Sequence, residues 1–302
     1  MADARRGFLL GVAAYAMWGA FPLYWPLLEP SGPVEILAHR IVWSLVIMAV
    51  LVVVMRRRSQ LRDVLRSRRT TLLLVVAAVT ITSNWGTYIY GVVNDRVVET
   101  SLGYFINPLV TVLMGVLVLG ERLRPLQWWA LGLGFLAVVV LSIDYGRPPV
   151  IALVLAFSFG TYGLAKKSAD VGAVESLTFE TAVIAPFAVV WLLWLSSAGE
   201  ARFTDEGVGH VALLVTSGLV TAVPLLCFGA AATRVSMTTL GLLQYLAPMI
   251  QFVLGITVVG EHMPPGRWAG FVLVWVALAV FTVEALQHRR RSLALAAEAS
   301  AV

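Results

Sequence analysis

The sequence is poor in cysteine, histidine and charge. Its 302 residues include one cysteine, Cys227, and four histidines, none at metal-ligand spacing from another. We therefore expect no disulfide, no thiolate metal cage, no enzyme built on histidine pairs, and no other cofactor. Charged residues make up 13% of the chain and apolar residues 59%, against about 25% and about 45–50% in soluble domains. This composition indicates a membrane protein.

Uncharged apolar runs recur along the chain at lengths that suit membrane-spanning helices. Such a helix needs about 20 residues, because about 30 Å of hydrocarbon is crossed at about 1.5 Å per residue; barrel strands would instead alternate over about ten residues. The sequence predicts an all-α membrane protein with ten transmembrane helices. The runs are 8–28, 41–55, 70–93, 100–120, 125–143, 148–165, 181–198, 211–233, 235–260 and 268–283, of which 41–55 and 268–283 need polar neighbours to cross.

Lysine and arginine are distributed unevenly between the predicted loops. With the N-terminus inside, 17 of the 22 basic residues are cytoplasmic and 4 lie on the other side, while Arg40 falls at the second span. Because cytoplasmic loops are rich in Lys and Arg, both termini are predicted to be cytoplasmic. The arginine-rich run 56–69 then contacts anionic membrane lipid and is not a nucleic-acid site. The first run has 21 residues, too many for the apolar core of a signal peptide, so we expect an uncleaved span.

The chain also contains an internal repeat. Seven positions recur at a spacing of 140 residues: Pro108, Gly115, Val118, Gly120, Glu121, Pro125 and Trp128 match Pro248, Gly255, Val258, Gly260, Glu261, Pro265 and Trp268. We predict two five-helix repeats, 1–146 and 147–286, and a mobile cytoplasmic tail, 287–302. Because five is odd, the second repeat must enter the membrane from the opposite side. Inverted repeats are common in secondary transporters, which bind substrate between the halves, and channels also use them.

The equivalent fourth and ninth spans carry matching polar stripes. Each stripe lies on one helical face: Tyr104, Pro108, Thr111 and Gly115 in the fourth span, and Gln244, Pro248, Gln251 and Gly255 in the ninth. Unsatisfied polar groups are costly in hydrocarbon, so these faces meet protein or a cavity. Two interpretations stay open, namely helices held together by hydrogen bonds or the lining of a cavity, and the adjacent Asn107 suits both.

Few ionisable residues fall within the predicted spans, and each is a candidate functional residue. Glu35 and His39 are four residues apart at the outer start of the second span, where they form either a loop cap or a proton relay. Arg40 faces away from Glu35. It is either a snorkelling arginine at the membrane interface or an anion or carboxylate contact at the outer mouth of a cavity. Its counterpart in the repeat is Glu180, of opposite sign.

Other polar groups at depth are amides and aromatic rings. Asn84 and Tyr88 are four residues apart in the third span, and Trp18, Tyr24 and Tyr162 complete a plausible pocket. Such a lining favours a small organic solute over a bare metal ion. The sequence shows no catalytic triad and no phosphate-binding glycine loop. The Gly-Glu dipeptides at 120–121 and 260–261 precede prolines, which is the ordinary punctuation between two helices.

Motifs along nearly the whole chain resemble those of a known family. They are WGAFPLYW (18–25), EILAHRIVWS (35–44), NW (84–85), SLGYFINPL (101–109) and LLQY (242–245), followed by Pro248 and QF (251–252). The sequence resembles the EamA-type drug/metabolite transporter superfamily and, within it, the RarD-like permeases. This resemblance implies a bacterial inner-membrane permease with a central cavity between its halves and alternating access. Members of the superfamily move amino acids, metabolites, nucleotide sugars and drugs, often outward.

The sequence therefore predicts a secondary transporter, not an enzyme, for a small metabolite, amino-acid-like solute or drug. The expected partners are that solute and membrane lipid, and a homodimer is left open. The predicted substrate contacts are Tyr104, Asn107, Gln244, Gln251, Asn84, Tyr88 and Arg40, with Glu35 and His39 as a candidate proton relay. Two alternatives are a non-transporting partner or sensor subunit, and an intramembrane enzyme, which needs a reactive carboxylate or metal at depth.

Overall fold

A computed structural model of the chain describes residues 2–120, 122–232, 234–235 and 237–299, and that part of the chain is helical and without strands. Glu121 of the first Gly-Glu dipeptide and the last three residues of the predicted tail lie outside it. The helices are α1 (Ala2–Gly19), α2 (Pro33–Val54), α3 (Arg58–Arg66), α4 (Arg68–Val93), α5 (Val97–Leu119), α6 (Pro125–Tyr145), α7 (Val150–Ala169), α8 (Ala173–Ala198), α9 (Gly207–Ala232), α10 (Met237–Leu243), α11 (Leu246–Thr257) and α12 (Pro265–Ala299).

Seven of the described helices are long and apolar enough to cross a membrane: α2, α4, α5, α6, α8, α9 and α12. The described parts of α7 and α11 are shorter apolar helices. The chain is thus an all-helical, multi-pass membrane protein. Each of the ten predicted runs overlaps at least one helix, but the count of ten crossings and the division into two repeats stay predictions.

The first predicted run is wrong in its extent. The run predicts a span that continues to residue 28, but α1 ends at Gly19 and the chain continues in two 3₁₀ turns, Phe21–Leu23 and Trp25–Leu28. Each turn has a proline near its start, Pro22 and Pro26. Proline has no N–H for an α-helical bond and clashes with the preceding turn, so two prolines four residues apart disfavour continuation of the helix. The turns instead bring Phe21 and Trp25 into the buried core.

The ninth predicted run is also not one helix. It is divided into α10 and α11, with Gln244 and Tyr245 between them. Pro248 is the third residue of α11 and donates no hydrogen bond to the carbonyl of Gln244, four residues before it. The stripe from Gln244 to Gly255 therefore does not follow a continuous helical face, whereas Tyr104 and Pro108 share the unbroken α5.

Helices begin at prolines and end at glycines where the sequence predicts it. Prolines begin α2, α6 and α12, where the missing N–H would be unpaired in any case. Gly120 ends α5 in the left-handed conformation, with φ +66°, and Gly260 has φ +77°. Glycine adopts this conformation without steric cost, so both Gly-Glu dipeptides have the glycine that their turn requires.

Packing joins the two predicted halves extensively. α1 packs mainly against α9, and α2 packs against both α8 and α9. α4 packs against α7, α5 against α7 and α11, and α6 against α12. All of these pairs join a helix before residue 146 to a helix after residue 147. The core is therefore built between the halves rather than inside each of them, and α2 is enclosed by helices of the second half.

Candidate functional site

Arg40 is buried in the interior of the helix bundle. It is the eighth residue of α2 and only 3% exposed. Its guanidinium carbon lies 4.1 Å from the ring centre of Trp85 on α4 and 5.0 Å from that of Trp25. Its Nε donates a hydrogen bond of 2.9 Å to Oγ1 of Thr221 on α9. The snorkelling interpretation is therefore wrong, because the side chain lies in the bundle and not at an interface.

The positive charge of Arg40 is incompletely compensated. Among the described residues, no carboxylate forms an ion pair with Arg40, and its buried Nη1 has no hydrogen-bond partner. Cation–π contacts contribute about 0.5–2 kcal/mol each, whereas taking an ion out of water costs several kcal/mol. The aromatic rings therefore offset part of the cost, and a donor capable of a strong hydrogen bond is left unused.

Asn84 connects three helices. Its Nδ2 donates to the carbonyl of Leu155 at 3.0 Å and to Oγ of Ser158 at 3.1 Å, both on α7. Its Oδ1 accepts from the hydroxyl of Tyr104 on α5 at 3.1 Å. The amide is 1% exposed and uses both of its hydrogens. Its observed contacts are those of helix–helix packing.

Tyr88 and Tyr104 form an aromatic pair between α4 and α5, with ring centres 5.7 Å apart. The two hydroxyls differ, because that of Tyr104 is bonded to Asn84 whereas that of Tyr88 is buried without a partner. The ring of Tyr88 also lies 6.4 Å from that of Phe21, which is 5.8 Å from the guanidinium carbon of Arg40. Four of the predicted contacts, Arg40, Asn84, Tyr88 and Tyr104, are therefore brought together.

The predicted amide contacts on the other helices also have unused groups. Asn107 on α5 has a buried Oδ1 without a partner. Gln251 on α11 donates through Nε2 to the carbonyl of Trp18 at 3.1 Å, but its Oε1 is buried and unpaired. Gln244 is half-buried in the junction between α10 and α11. Asn107 and Gln251 thus offer acceptors to a ligand.

Glu35 and His39 have separate partners. Oε1 of Glu35 accepts from the backbone N–H of Arg202 at 2.8 Å, as expected of a loop cap. The His39 ring is stacked on Phe203 with centres 4.5 Å apart, and its Nε2 has no hydrogen-bond partner. No hydrogen bond joins Glu35 to His39 in the described structure, so the relay stays a prediction without a direct contact.

Glu180 on α8, the counterpart of Arg40, is fully paired. One carboxylate oxygen accepts from Nζ of Lys166 at 3.1 Å and from the hydroxyl of Ser176. The other accepts from the hydroxyl of Tyr162 at 3.3 Å. Glu180 is 1% exposed, and every one of these donors is a side chain of α7 or α8. Tyr162, which is expected in the pocket, donates its hydroxyl hydrogen to this paired carboxylate.

A cavity of 410 Å³ lies at one end of the bundle, where the starts of α5 and α12 meet the end of α6. Two ion pairs border it, Arg147 with Glu99 at 2.8 Å and Arg267 with Asp144 at 3.1 Å. In its described lining, no residue is a predicted substrate contact. This cavity is therefore separate from the surroundings of Arg40.

Glu261 lines the same cavity and caps the N-terminus of α5. Its Oε1 accepts from the backbone N–H of Val98 at 2.8 Å. Burial raises the pKa of this carboxyl to about 7, although the backbone hydrogen bonds and Arg267 act in the opposite direction. Among the described residues, no group of three or more His, Cys, Asp or Glu side chains is placed to hold a metal ion.

Comparison with known proteins gives consistent matches over nearly the whole chain. The sequence model of the EamA-like transporter family matches residues 5–143 and 148–283. Protein RarD of Streptomyces exfoliatus is 56% identical over 96% of this chain and 92% of its own length. Protein RarD of Escherichia coli K12 is 40% identical over 96% and 98%, respectively. Chloramphenicol-sensitive protein RarD of Pseudomonas aeruginosa is 31% identical over 92% and 94%.

The chain belongs to the EamA-like transporter family. Its relatives make it a RarD-like permease in sequence, which confirms the resemblance. A solved protein crystal structure aligns with a TM-score of 0.59 at 19% identity, covering 93% of this chain and 98% of that one. At this identity, the alignment supports the fold alone.

In this RarD-like permease, sequence reasoning missed three residues that surround Arg40. Trp25 and Trp85 stand in the motifs that carry the family resemblance, but no role was assigned to them. Thr221 lies 181 residues from Arg40. No periodicity along the chain connects such positions. The one available signal was a Trp directly beside the singled-out Asn84.

Proposed function

We propose that the protein is a secondary transporter that moves a small organic solute across a bacterial inner membrane by alternating access. The observation that carries this proposal is a set of buried polar atoms without partners inside an apolar bundle: Nη1 of Arg40, the hydroxyl of Tyr88, Oδ1 of Asn107 and Oε1 of Gln251. Buried polar groups in proteins are nearly always hydrogen-bonded, so these unpaired atoms support a solute that binds in the interior. Relatives named as transporters support the same conclusion.

The arrangement of the helices supports two inverted repeats of five spans. If α1, α2, α4, α5 and α6 are equivalent to α7, α8, α9, α10–α11 and α12, exchanging the halves reproduces the packing. For example, the contact of α1 with α9 becomes that of α7 with α4, and α1 with α11 becomes α7 with α5. The family model also matches the chain twice, once on each side of residues 144–147. The bias of basic residues supports cytoplasmic termini.

Roles in the site follow from which groups are unpaired. We assign solute contacts to Arg40, Tyr88, Asn107 and Gln251, and we place Tyr104 and Gln244 beside them in the lining. Asn84 orients Tyr104 rather than touching the solute, because its amide hydrogens are already used on α7. The solute class is a metabolite, an amino-acid-like molecule or a drug, and we propose outward transport.

An untargeted comparison of small molecules in cells and medium, with and without the protein, tests the proposal. We expect a defined solute to fall inside cells and rise outside when the protein is present. Inverted membrane vesicles then measure its flux, which Asn107→Ala and Gln244→Ala should reduce in well-folded protein. No difference in any pool would favour a partner or sensor subunit, and a chemically converted product would favour an enzyme.

A further inference from the structure

We propose that the transported solute is a monoanion with one carboxylate, and that this carboxylate binds the guanidinium of Arg40. The inference rests on the proposed transport function and narrows it to a substrate class. It starts from a side chain that is 3% exposed, carries a full charge, and has no counter-ion among the described residues.

The surroundings of Arg40 hold it in place while leaving a donor unused. Oγ1 of Thr221 accepts a hydrogen bond from Nε at 2.9 Å. The ring centres of Trp85, Trp25 and Phe21 lie 4.1, 5.0 and 5.8 Å from the guanidinium carbon. Nη1 is buried and unpaired. A guanidinium fixed in this way presents N–H groups to an acceptor, and its strongest partners are carboxylate and phosphate oxygens.

Among the described residues, no acid pairs with this cation, and each buried acid has another partner. Glu35 accepts from the backbone of Arg202, and Glu180 is paired with Lys166. Glu99 is paired with Arg147. A solute that binds Arg40 must therefore bring the negative charge itself.

The number of charges favours a carboxylate over a phosphate. Arg40 offers one positive charge, so a monoanion makes the buried complex neutral. A phosphate monoester carries more than one negative charge at neutral pH and would leave an excess buried. A neutral solute would leave the arginine uncompensated, and a cation would be repelled. The ammonium of a zwitterion would find acceptors in Oδ1 of Asn107 and Oε1 of Gln251, but none of the assigned solute contacts is a carboxylate that would balance its charge.

The experiment extends the untargeted comparison to variants of the full-length protein. Cells produce wild-type protein, Arg40→Met, Arg40→Lys or Arg66→Met, the last removing one exposed arginine as a control for charge. Membrane content and thermal unfolding of each variant are measured in parallel. Methionine keeps an unbranched apolar stem without the charge, and the substitution leaves no counter-ion uncompensated, because Arg40 has none among the described residues. Arg40→Lys retains the charge in case methionine prevents folding.

We expect the pools that change with wild-type protein to be monocarboxylates. Arg40→Met should give the profile of cells without the protein, although it is folded and present in membranes. Arg66→Met should match wild type. In proteoliposomes, transport of the identified acid should fall at least about 30-fold in Arg40→Met and less in Arg40→Lys. The uncharged amide of the same acid should not be transported by wild-type protein.

The outcomes separate this inference from the proposed function. If no small molecule changes in amount between cells with and without the protein, the proposed transport function is wrong. If the pools that change are neutral, cationic, zwitterionic or phosphorylated molecules, the protein transports but the substrate class proposed here is wrong. Undiminished transport of a carboxylate by Arg40→Met, or equal transport of acid and amide, would equally overturn the role of Arg40.

Discussion

Two helices at equivalent positions of the predicted repeat differ in the partners of their buried charges. Arg40 on α2 and Glu180 on α8 are 140 residues apart and are 3% and 1% exposed. Glu180 receives hydrogen bonds from Lys166, Ser176 and Tyr162. Arg40 contacts aromatic rings and donates one hydrogen bond to a threonine hydroxyl, and its Nη1 has no hydrogen-bond partner. Glu180 thus has the contacts of a structural ion pair, and Arg40 has those of a binding group without its ligand.

This difference has a physical consequence for stability. Removing one partner of a buried ion pair leaves the other charge uncompensated, which is costly. Removing a buried charge that has no counter-ion takes away a burial cost at the same time as its contacts. The same substitution of charge by a neutral side chain should therefore have different effects in α2 and α8.

The largest effect is expected from Glu180→Gln. Lys166 would lose its counter-ion while its side chain is only 24% exposed, so the free energy of unfolding should fall by about 3–5 kcal/mol. Thermal or denaturant unfolding of the purified protein in detergent measures it. The double variant Lys166→Met with Glu180→Leu should recover most of the loss. A change below about 1 kcal/mol would remove the contrast between the two helices.

The next effect separates Asn84 from Asn107. Asn84→Ala removes three hydrogen bonds and leaves the hydroxyl of Tyr104 unpaired, so we expect a loss of about 1–3 kcal/mol in stability. Asn107→Ala removes an unpaired oxygen and should lower solute flux with a smaller loss of stability. The two variants are compared in the same unfolding and vesicle-flux assays. The reverse order of stabilities would contradict the assignment of Asn84 to packing.

Glu261 is a third acidic or basic side chain to compare, because its carboxyl is hydrogen-bonded to the N-terminus of α5. Burial raises its pKa from 4.5 to about 7, so folding favours the protonated form. Its contribution to stability is fully present below pH 4.5 and is lost as the pH rises through 7. Glu261→Gln should therefore unfold at a higher temperature than wild type at pH 8, with the difference shrinking toward pH 4.5. Unfolding temperatures across this range check the effect, with the exposed Glu29→Gln as control. A difference independent of pH would exclude the ionisation of Glu261 as its cause.

The smallest change in stability is expected from Arg40→Met. The free energy of unfolding should stay within about 1 kcal/mol of wild type or increase, because a buried charge without a counter-ion is removed. The same unfolding assay as for Glu180→Gln gives the comparison directly. A loss as large as that of Glu180→Gln would show that Arg40 is a structural residue with a compensating partner.

Particular residues show which features of the fold and of the candidate site could be predicted from the sequence. The apolar runs identified the helical segments, since burial in hydrocarbon requires a length that can be counted. Two details failed at prolines: Pro22 and Pro26 shorten the first helix, and Pro248 lies just after the break in the ninth. The sequence indicates Arg40 as a candidate functional residue, but its burial could not be predicted, because an arginine at a helix start suits an interface equally well.

The sequence determined that the chain is an all-helical membrane protein of the EamA-like family and which residue types carry its polar chemistry. It did so because helix length, hydropathy and turn residues act locally and repeat along the chain. The tertiary structure alone decided that Glu180 is paired and Arg40 is not, since most of their neighbours lie on other helices. Trp85 on α4 and Lys166 on α7 each come from another helix of the same predicted half, whereas Thr221 on α9 reaches Arg40 only where the two halves pack together.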